Sequence, residues 1–365
     1  MRAYAAAALL TALALAGCSP DDPVAEPSGS TTPSTSSSAA SSSASSSDAP
    51  EVVDADQDLL DWARVPGPVR DTTTASGDWT LTVSANGDRA QLRGPTQATV
   101  TPGKRGRISE GLIDREYAVV VVADELEVQP GRATVIDLAT GDSFILDGGS
   151  EVPTVNGGTW ALGDGHLLHA TYGPGRAYCL ASVDLATRAS ALAWCAPKRN
   201  GFSNARISPG GDSLMTFDDS QPSCRRVVSV DGDRVTEFPG VTPCKAWDGV
   251  LLAGSRVWSV VPKDGQIEAA HLYAAVGDAS YDLGPGKSGT LVACDGAAYF
   301  ARDPGRDGDP AQILRWTDDG TLSVVYESPT GGPAFIAGAP RCGGDRLTVT
   351  ALTAAGDEQV VAVTP

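Results

Sequence analysis

The three histidines are the residues best suited to acid–base or metal chemistry in this 365-residue chain, and their spacing argues against a shared site. His166 and His169 lie in "DGHLLHATY", three positions apart. On a β-strand, side chains at an odd separation point to opposite faces, so the two cannot chelate one metal. His271 stands alone in "AAHLYAA". We expect all three to be half-buried or surface residues without a catalytic role. Neither G-x-S-x-G, nor HExxH, nor a P-loop occurs.

Aspartate-rich turns suggest calcium as the one conceivable cofactor. The best candidate is "DPGRDGDP", with Asp303, Asp307 and Asp309. Calcium takes six to eight oxygen ligands, usually including several carboxylates, and an EF-type loop is absent from the sequence. Asp-Gly is also a common way to build a hairpin turn. We therefore expect turns and no cofactor, and keep calcium as the alternative.

The seven cysteines divide into one near the start, Cys18, and six that follow far along the chain. Six cysteines in an exported domain indicate disulfides rather than a metal site, since no CxxC is present. Cys179 and Cys195 flank a hairpin symmetrically, which would set them opposite one another. The remaining cysteines suggest two further pairs, one flanking the next hairpin and one joining equivalent places in successive repeats: Cys224 with Cys244, and Cys294 with Cys342.

The elements that carry these residues are short strands separated by tight polar turns. Segments such as "RATVIDLATGDSFILDG" and "QILRWTDDGTLSVVYES" each predict a hairpin, because Gly and Asn tolerate the positive φ of such turns. The units recur every roughly 40–50 residues with about four strands each, a pattern typical of a β-propeller. The sequence thus predicts an all-β fold, a single propeller. Six blades are favoured, seven are the alternative, and a tandem β-sandwich is a distant third.

We expect the ring to be closed by N- and C-terminal strands. The segment "WTLTVSANGDRAQLRG" has no apparent first strand of its own, so it is predicted to supply a missing outer strand. A short helix is the expectation for residues 54–65. In a propeller, Trp160 and Trp247 would lie near the channel. They could form a platform for a sugar or peptide, but we favour the alternative that they pack as wedges between blades. The other candidates in this aromatic set are Trp194, Trp258 and Trp316.

One repeat resembles a known family. Residues 207–217, "ISPGGDSLMTF", are similar to the "SPDG…(I/L)xF" repeat of TolB-like propellers, with Gly210 at the position where that family usually has Asp. Other repeats retain only the Asp-Gly turn and the strand after it. The resemblance implies a propeller fold and says little about function.

The N-terminal residues predict where the protein is located. Residues 1–17 have one positive charge and then an apolar run too short to span a membrane, as in a secretory signal peptide; a buried helix is the alternative. "LAGC" at 15–18 resembles the lipobox of bacterial lipoproteins. The resemblance implies a lipidated Cys18 at the mature N-terminus. Residues 18–53 read as a disordered Ser/Thr/Pro-rich linker, and 54–365 as the propeller domain.

Charge and motifs limit the function. The formal net charge of −18 disfavours nucleic acid as a partner, because like charges repel. We expect a lipid-anchored protein on the cell membrane, with its body outside the cytoplasm, that binds an envelope protein or glycan. One alternative is a hydrolase or lyase with a carboxylate-based site at the channel mouth, which we consider less favoured than a non-enzymatic role. A purely structural envelope protein is the third.

Overall fold

The alternating apolar residues of this chain form strands throughout the described region. The computed structural model describes residues 49–263 and 265–365. Within these ranges the one helical element is a 3-10 turn, Pro174–Arg176, and the strands assemble into seven sheets. No helix in the described residues is long and apolar enough to cross a membrane. The predicted signal peptide, Cys18 and most of the predicted linker lie outside the described residues.

Three short strands at the N-terminal end precede the first sheet. We call residues 51–64 the strap, and its strands are β1 (Glu51–Val52), β2 (Asp56–Gln57) and β3 (Ala63–Arg64).

The first three blades are four-stranded antiparallel sheets whose strands follow chain order. Blade 1 contains β4 (Thr72–Ser76), β5 (Trp79–Val83), β6 (Ala90–Arg93) and β7 (Ala98–Val100). Blade 2 contains β8 (Gly106–Ile113), β9 (Tyr117–Asp124), β10 (Arg132–Asp137) and β11 (Ser143–Leu146). Blade 3 contains β12 (Trp160–Gly163), β13 (His166–Tyr172), β14 (Tyr178–Asp184) and β15 (Ser190–Cys195).

Blades 4 to 6 repeat the same order of strands. Blade 4 contains β16 (Asn200–Ser208), β17 (Gly211–Asp218), β18 (Arg225–Asp231) and β19 (Arg234–Glu237). Blade 5 contains β20 (Ala246–Leu251), β21 (Ser255–Val260), β22 (Ala269–Val276) and β23 (Ala279–Lys287). Blade 6 contains β24 (Val292–Cys294), β25 (Ala297–Arg302), β26 (Gln312–Trp316) and β27 (Leu322–Glu327).

Blade 7 has a divided inner strand. Two short strands pair with the same neighbour, β30, one with each half of it. The blade contains β28 (Ala334–Ile336), β29 (Arg341–Cys342), β30 (Arg346–Thr353) and β31 (Glu358–Val363).

The propeller prediction is confirmed, with seven blades, the alternative, rather than the favoured six. The difference arises in blade 1. The segment "WTLTVSANGDRAQLRG" forms β5 and β6 of a complete blade whose inner strand is β4, so it does not close the ring as expected. The prediction that N- and C-terminal strands close the ring is nevertheless confirmed, because β3 pairs antiparallel with β31 as the outer strand of blade 7.

The strap replaces the helix expected at residues 54–65. Its strand β1 pairs in parallel with β23 of blade 5, and β2 pairs in parallel with β27 of blade 6. Trp62 fixes the next part, because its indole Nε1 donates to the Val325 carbonyl oxygen at 2.8 Å. These edge contacts satisfy backbone groups of the strap that a short helix would have satisfied within itself.

The core lies between blades, not within them. Apolar side chains on the facing surfaces of consecutive blades form a hydrophobic cluster at each junction from blade 1 to blade 7. The seam between blades 7 and 1 is different, since its buried residues include many with polar side chains. There Gln359 Nε2 donates to the Asp71 carbonyl oxygen at 3.1 Å, and Asp345 accepts from the Gly77 amide at 2.9 Å.

Candidate functional site

The inner strands of the blades surround a channel that widens into two chambers. The chamber lined by the residues that lead into the inner strands has a volume of about 510 Å³. The other, at the turns that leave the inner strands, has a volume of about 480 Å³. Both chambers share five lining residues, mostly apolar, which we call the waist: Ile113, Leu162, Ile207, Ala293 and Cys342.

The first chamber concentrates positive charge in an otherwise acidic protein. Its ionisable lining consists of four arginines and one carboxylate, and we call it the arginine chamber: Arg70, Arg107, Glu110, Arg206 and Arg341. The whole chain carries a formal net charge of −18, so this composition is the reverse of the average surface. A guanidinium group presents planar paired donors that match carboxylate and phosphate oxygens.

Three inner strands, β8, β16 and β20, contain the same kind of irregularity, a shift in their register against the next strand. The register of β8 against β9 shifts between Ile108 and Glu110. The register of β16 shifts between Ser203 and Arg206, and that of β20 shifts immediately before Gly249. Each shift inserts one extra residue in the inner strand, which is a β-bulge, and bulges re-aim side chains. The bulges lie beside Glu110, Arg206 and the buried Asp248.

Two opposing effects act on the pKa of the Glu110 carboxyl group. The chamber leaves it open to solvent, but surrounding protein removes much of its hydration, and this desolvation raises the pKa of its carboxyl group. The positive charges of Arg206 and Arg341 oppose that rise. Burial in turn lowers the pKa of Arg341, and Glu110 counteracts this. The carboxylate therefore lies within the field of two guanidinium groups.

Arg206 is held in place by backbone oxygens. Its Nε donates to the Leu291 carbonyl oxygen at 3.3 Å, and its Nη1 donates to the Ala205 carbonyl oxygen at 3.2 Å. These bonds use part of the guanidinium fork. The fixed side chain loses little further freedom when it binds, which favours recognition.

Asp248 is a buried carboxylate behind Arg206. Its side chain accepts hydrogen bonds from Asn204 Nδ2 at 3.2 Å and from the Gly289 amide at 2.5 Å. Burial raises the pKa of Asp248, and the nearby charge of Arg206 opposes that rise. Because Gly289 and Asn204 belong to the segments that flank blade 5, Asp248 ties the bulge of β20 to both of its neighbours.

Arg107 lies across the edge of blade 1. A β-carbon on Gly87 would come within 2.6 Å of Arg107 Cγ and 2.8 Å of the Ile108 carbonyl oxygen. The backbone at Gly87 has a φ of +68°, which glycine adopts without strain. This glycine therefore both turns the β5–β6 hairpin and leaves room for the arginine stem.

The second chamber has the opposite charge, and we call it the acidic chamber. Its ionisable lining is one arginine and four carboxylates: Arg115, Asp114, Glu116, Asp164 and Asp295. Arg115 Nη2 donates to Asp295 Oδ1 at 2.7 Å. Arg115 follows the inner strand of blade 2 and Asp295 follows that of blade 6, so this ion pair joins two blades that are not neighbours.

The three histidines are not among the lining residues of either chamber. His166 Nε2 is 3.2 Å from Asp212 Oδ2, which links blade 3 to blade 4. His169 is fully buried and its ring stacks on Trp160 with centroids 5.1 Å apart. His271 Nε2 is 2.5 Å from Asp282 Oδ1. The structure therefore brings no two histidines to one ligand.

The tryptophans are mainly structural contacts. Trp160 lines the arginine chamber but is only 8% exposed. The guanidinium of Arg225 lies 4.8 Å from the ring centroid of Trp247. Three others pack against aromatic rings: Trp194 on Phe202, Trp258 on Tyr273, and Trp316 on Tyr281.

The calcium alternative gains no support from the described residues. Residues 49–263 and 265–365 contain no group of three or more His, Cys, Asp or Glu arranged to hold a metal ion. Asp303 lies 3.6 Å from Lys287 Nζ instead, and its Oδ1 accepts weakly from the Ile336 amide at 3.4 Å. Asp307 and Asp309 are exposed in the loop before β26.

The six downstream cysteines form three disulfides, as the prediction of disulfide bonds requires. Cys179 and Cys195 face each other across β14 and β15, and Cys224 bonds to Cys244. Cys294 bonds to Cys342 and so joins the inner strands of blades 6 and 7 at the waist. Cys18 lies outside the described residues.

Sequence reasoning missed the residues of the arginine chamber. Glu110, Arg206 and Arg341 come from three blades and form no motif along the chain. Their one sequence signal is an arginine or glutamate inside a predicted inner strand, where channel-facing polar residues interrupt the apolar pattern.

Comparisons with known proteins agree on the fold. No protein-family model matches the sequence, and no curated protein matches it. The β-propeller domain of the Trilobed protease from Pyrococcus furiosus, which has an open velcro topology, matches with a TM-score of 0.54 and 12% identity, over 80% of this chain and 95% of that one. Oligogalacturonate lyase from Vibrio parahaemolyticus matches with a TM-score of 0.51 and 13% identity, over 85% and 99%.

TolB from Acinetobacter baumannii is also similar, with a TM-score of 0.41 and 15% identity, over 67% of this chain and 60% of that one. The β-propeller fold is supported by the two structures whose TM-scores exceed 0.5. Identities this low show shared architecture and carry no activity from one protein to another.

Proposed function

We propose that this protein is a lipid-anchored, extracytoplasmic propeller that binds an anionic group of an envelope protein or glycan in its arginine chamber. The observation that carries the proposal is the set of four arginines around a single carboxylate, in a chain of net charge −18. Arginine is suited to this role because its fork binds carboxylate and phosphate oxygens in pairs.

The chamber is suited to binding before any ligand arrives. Its volume of about 510 Å³ is within the range of small-molecule sites, about 300–1,000 Å³. Arg206 is already held by two backbone oxygens, and its positive charge acts on the buried carboxyl group of Asp248. An arrangement whose side chains are ordered in advance binds more tightly, because less conformational entropy is lost.

The anchor is proposed from the sequence. A lipidated Cys18 would hold the protein on the outer side of the cell membrane, and two acyl chains anchor far better than one. Mass spectrometry of the mature protein tests this. We expect an N-terminal, diacylglyceryl-modified Cys18, and a Cys18→Ser variant released from the membrane. An unmodified Cys18 would overturn this part of the proposal.

Binding is tested with the full chain in a neutral detergent, by calorimetric titration with anionic saccharides and acidic peptides. We expect Arg341→Ala to weaken binding at least tenfold, since one charge-assisted hydrogen bond contributes about 1.5–3 kcal/mol. Arg341 is the better variant because no hydrogen bond from its side chain occurs in the described structure. Arg234→Ala, on the outer strand β19, is the control and should bind normally. Equal affinity in all three proteins would refute an arginine-based site.

An enzyme is the second candidate, and Glu110 is the observation that favours it. A carboxyl group whose pKa is raised by burial can act as a general acid or base. Glu110→Gln separates the two functions. Loss of turnover with retained binding would indicate catalysis, whereas a binding module has no turnover to lose.

A further inference from the structure

The two chambers differ in a way that restricts which anions the site can accept. The arginine chamber opens to the mouth that carries Arg70 and Arg107, and it ends at the waist. Beyond the waist the lining becomes acidic. An anion entering from the arginine side therefore meets attraction first, then the mostly apolar side chains of the waist, then repulsion.

The far mouth is also crossed by a side chain. The Arg115–Asp295 ion pair joins blade 2 to blade 6, and Arg115 Nη2 additionally lies 3.5 Å from the Gly344 carbonyl oxygen of blade 7. Arg115 thus extends past the turn of an intervening blade to reach its partner. This pair lies in the acidic chamber, so it obstructs passage from that end without touching the arginines.

The waist is built from side chains fixed by covalent and packing contacts. Cys342 is bonded to Cys294, and Ala293 precedes that same cysteine. Leu162 packs against the hydrophobic cluster between blades 2 and 3, and Ile207 packs against the cluster between blades 3 and 4. A polymer continuing through the channel would have to pass these apolar side chains with its backbone polar groups unpaired, which is costly.

From this geometry we infer that the arginine chamber recognises a terminal anion inserted end-on, and excludes an anion inside a continuous chain. This inference depends on the proposed function, because it specifies the ligand of the same chamber. The shared chemistry is a carboxylate or phosphate at the end of a molecule. Arg206 and Arg341, the two arginines that act on Glu110, would hold its oxygens at the inner end of the chamber.

The test uses four probes on one sugar scaffold: D-glucose, D-glucuronate, D-glucose 6-phosphate and the methyl phosphodiester of the last. Glucuronate and the diester each carry one negative charge, but only glucuronate presents it at an end. We expect glucuronate to bind the full chain at least tenfold more tightly than the diester, and glucose 6-phosphate to bind as well. The stronger of the two identifies the carboxylate or the phosphate as the preferred source.

Two outcomes separate the inference from the proposed function. If no anion binds more tightly than glucose, the proposed function is wrong. If the diester binds as tightly as glucuronate, the chamber binds anions but end-on recognition is wrong.

Variants of the waist provide a second measurement. Leu162→Ala should enlarge the passage at the waist and reduce the preference for glucuronate over the diester, and Ile207→Val is a milder substitute if the first variant is unstable. Arg234→Ala, on the outer strand β19, is the control because it lies in neither chamber, and it should leave the preference unchanged. An unchanged preference in both waist variants would overturn the role assigned to the waist.

Discussion

A β-carbon on Gly210 would lie 2.1 Å from the carbonyl oxygen of Leu252 in the next blade. The Gly210 amide donates to the Leu251 carbonyl oxygen at 3.0 Å, so the two backbones are in direct contact. This contact explains why the repeat has glycine where TolB-like repeats usually have aspartate.

We therefore expect Gly210→Ala to lower the free energy of unfolding by about 2 kcal/mol or more, as overpacked sites do. Denaturant unfolding measures it. Gly305→Ala is the matched control, because no atom lies within 4 Å of the β-carbon that it would add. Comparable stability in both variants would show that the backbone at residue 210 yields readily.

The His166–Asp212 pair should make stability depend on pH. The hydrogen bond that protonated His166 donates to Asp212 raises the pKa of His166, so the folded state holds this proton more tightly than the unfolded state. The stabilisation is then complete below the unfolded pKa, about 6.5, and disappears as pH rises through the folded pKa. Asp212→Asn should cost about 0.5–1 kcal/mol at pH 5 and much less at pH 9.

The control for this prediction is an ion pair without a histidine. Arg199 Nε donates to Asp219 Oδ2 at 2.5 Å. The effect of Asp219→Asn should be the same at both pH values. A pH-independent loss in Asp212→Asn would refute the titration of His166 as its cause.

The disulfide between blades should stabilise the protein more than the disulfide within a blade. Cys294 and Cys342 are 48 residues apart, whereas Cys179 and Cys195 are 16 apart. Loop-closure entropy gives about 4 kcal/mol for the first and about 3 kcal/mol for the second. Paired alanine variants compared by denaturant unfolding test the order, and a greater loss in Cys179→Ala/Cys195→Ala would contradict it.

The attachment of the strap to the blades should depend on Trp62. Its indole donates to Val325 and its ring lies 5.1 Å from that of Tyr326. Trp62→Ala should cost about 3 kcal/mol, as truncation of a packed aromatic does. Hydrogen exchange should accelerate first at the amides of Asp58, Leu60 and Val65, which donate to blades 6 and 7.

Leu59 provides the comparison for the strap. It is 51% exposed in the same segment, so Leu59→Ala should leave both stability and exchange nearly unchanged. If Trp62→Ala left exchange at these three amides unaltered, the strap would be held by its backbone pairing alone.

The fold was readable because its hairpins alternate apolar and polar residues and recur. Blade 1 could not be predicted in the same way, because its inner strand β4 has the sequence "TTTAS". Threonine and serine suit this buried strand because their hydroxyl groups form hydrogen bonds: Thr73 Oγ1 with Thr82 Oγ1 at 3.1 Å, and Ser76 Oγ to the Asp114 carbonyl oxygen at 2.7 Å. A buried strand of hydroxyl residues has no apolar signature. The arginine chamber was also hidden, because bulges form against a partner strand and cannot be read from one segment.

The strap has a mechanical consequence. Its first two strands lie parallel to their partners in blades 5 and 6, so tension applied at residue 51 shears their hydrogen bonds together instead of opening them singly. Load would be shared by the edges of three blades before it reached β4 and the seam. A propeller pulled from residue 51 would therefore resist opening at the junction of blades 7 and 1. This is the one junction without an apolar cluster among the described residues.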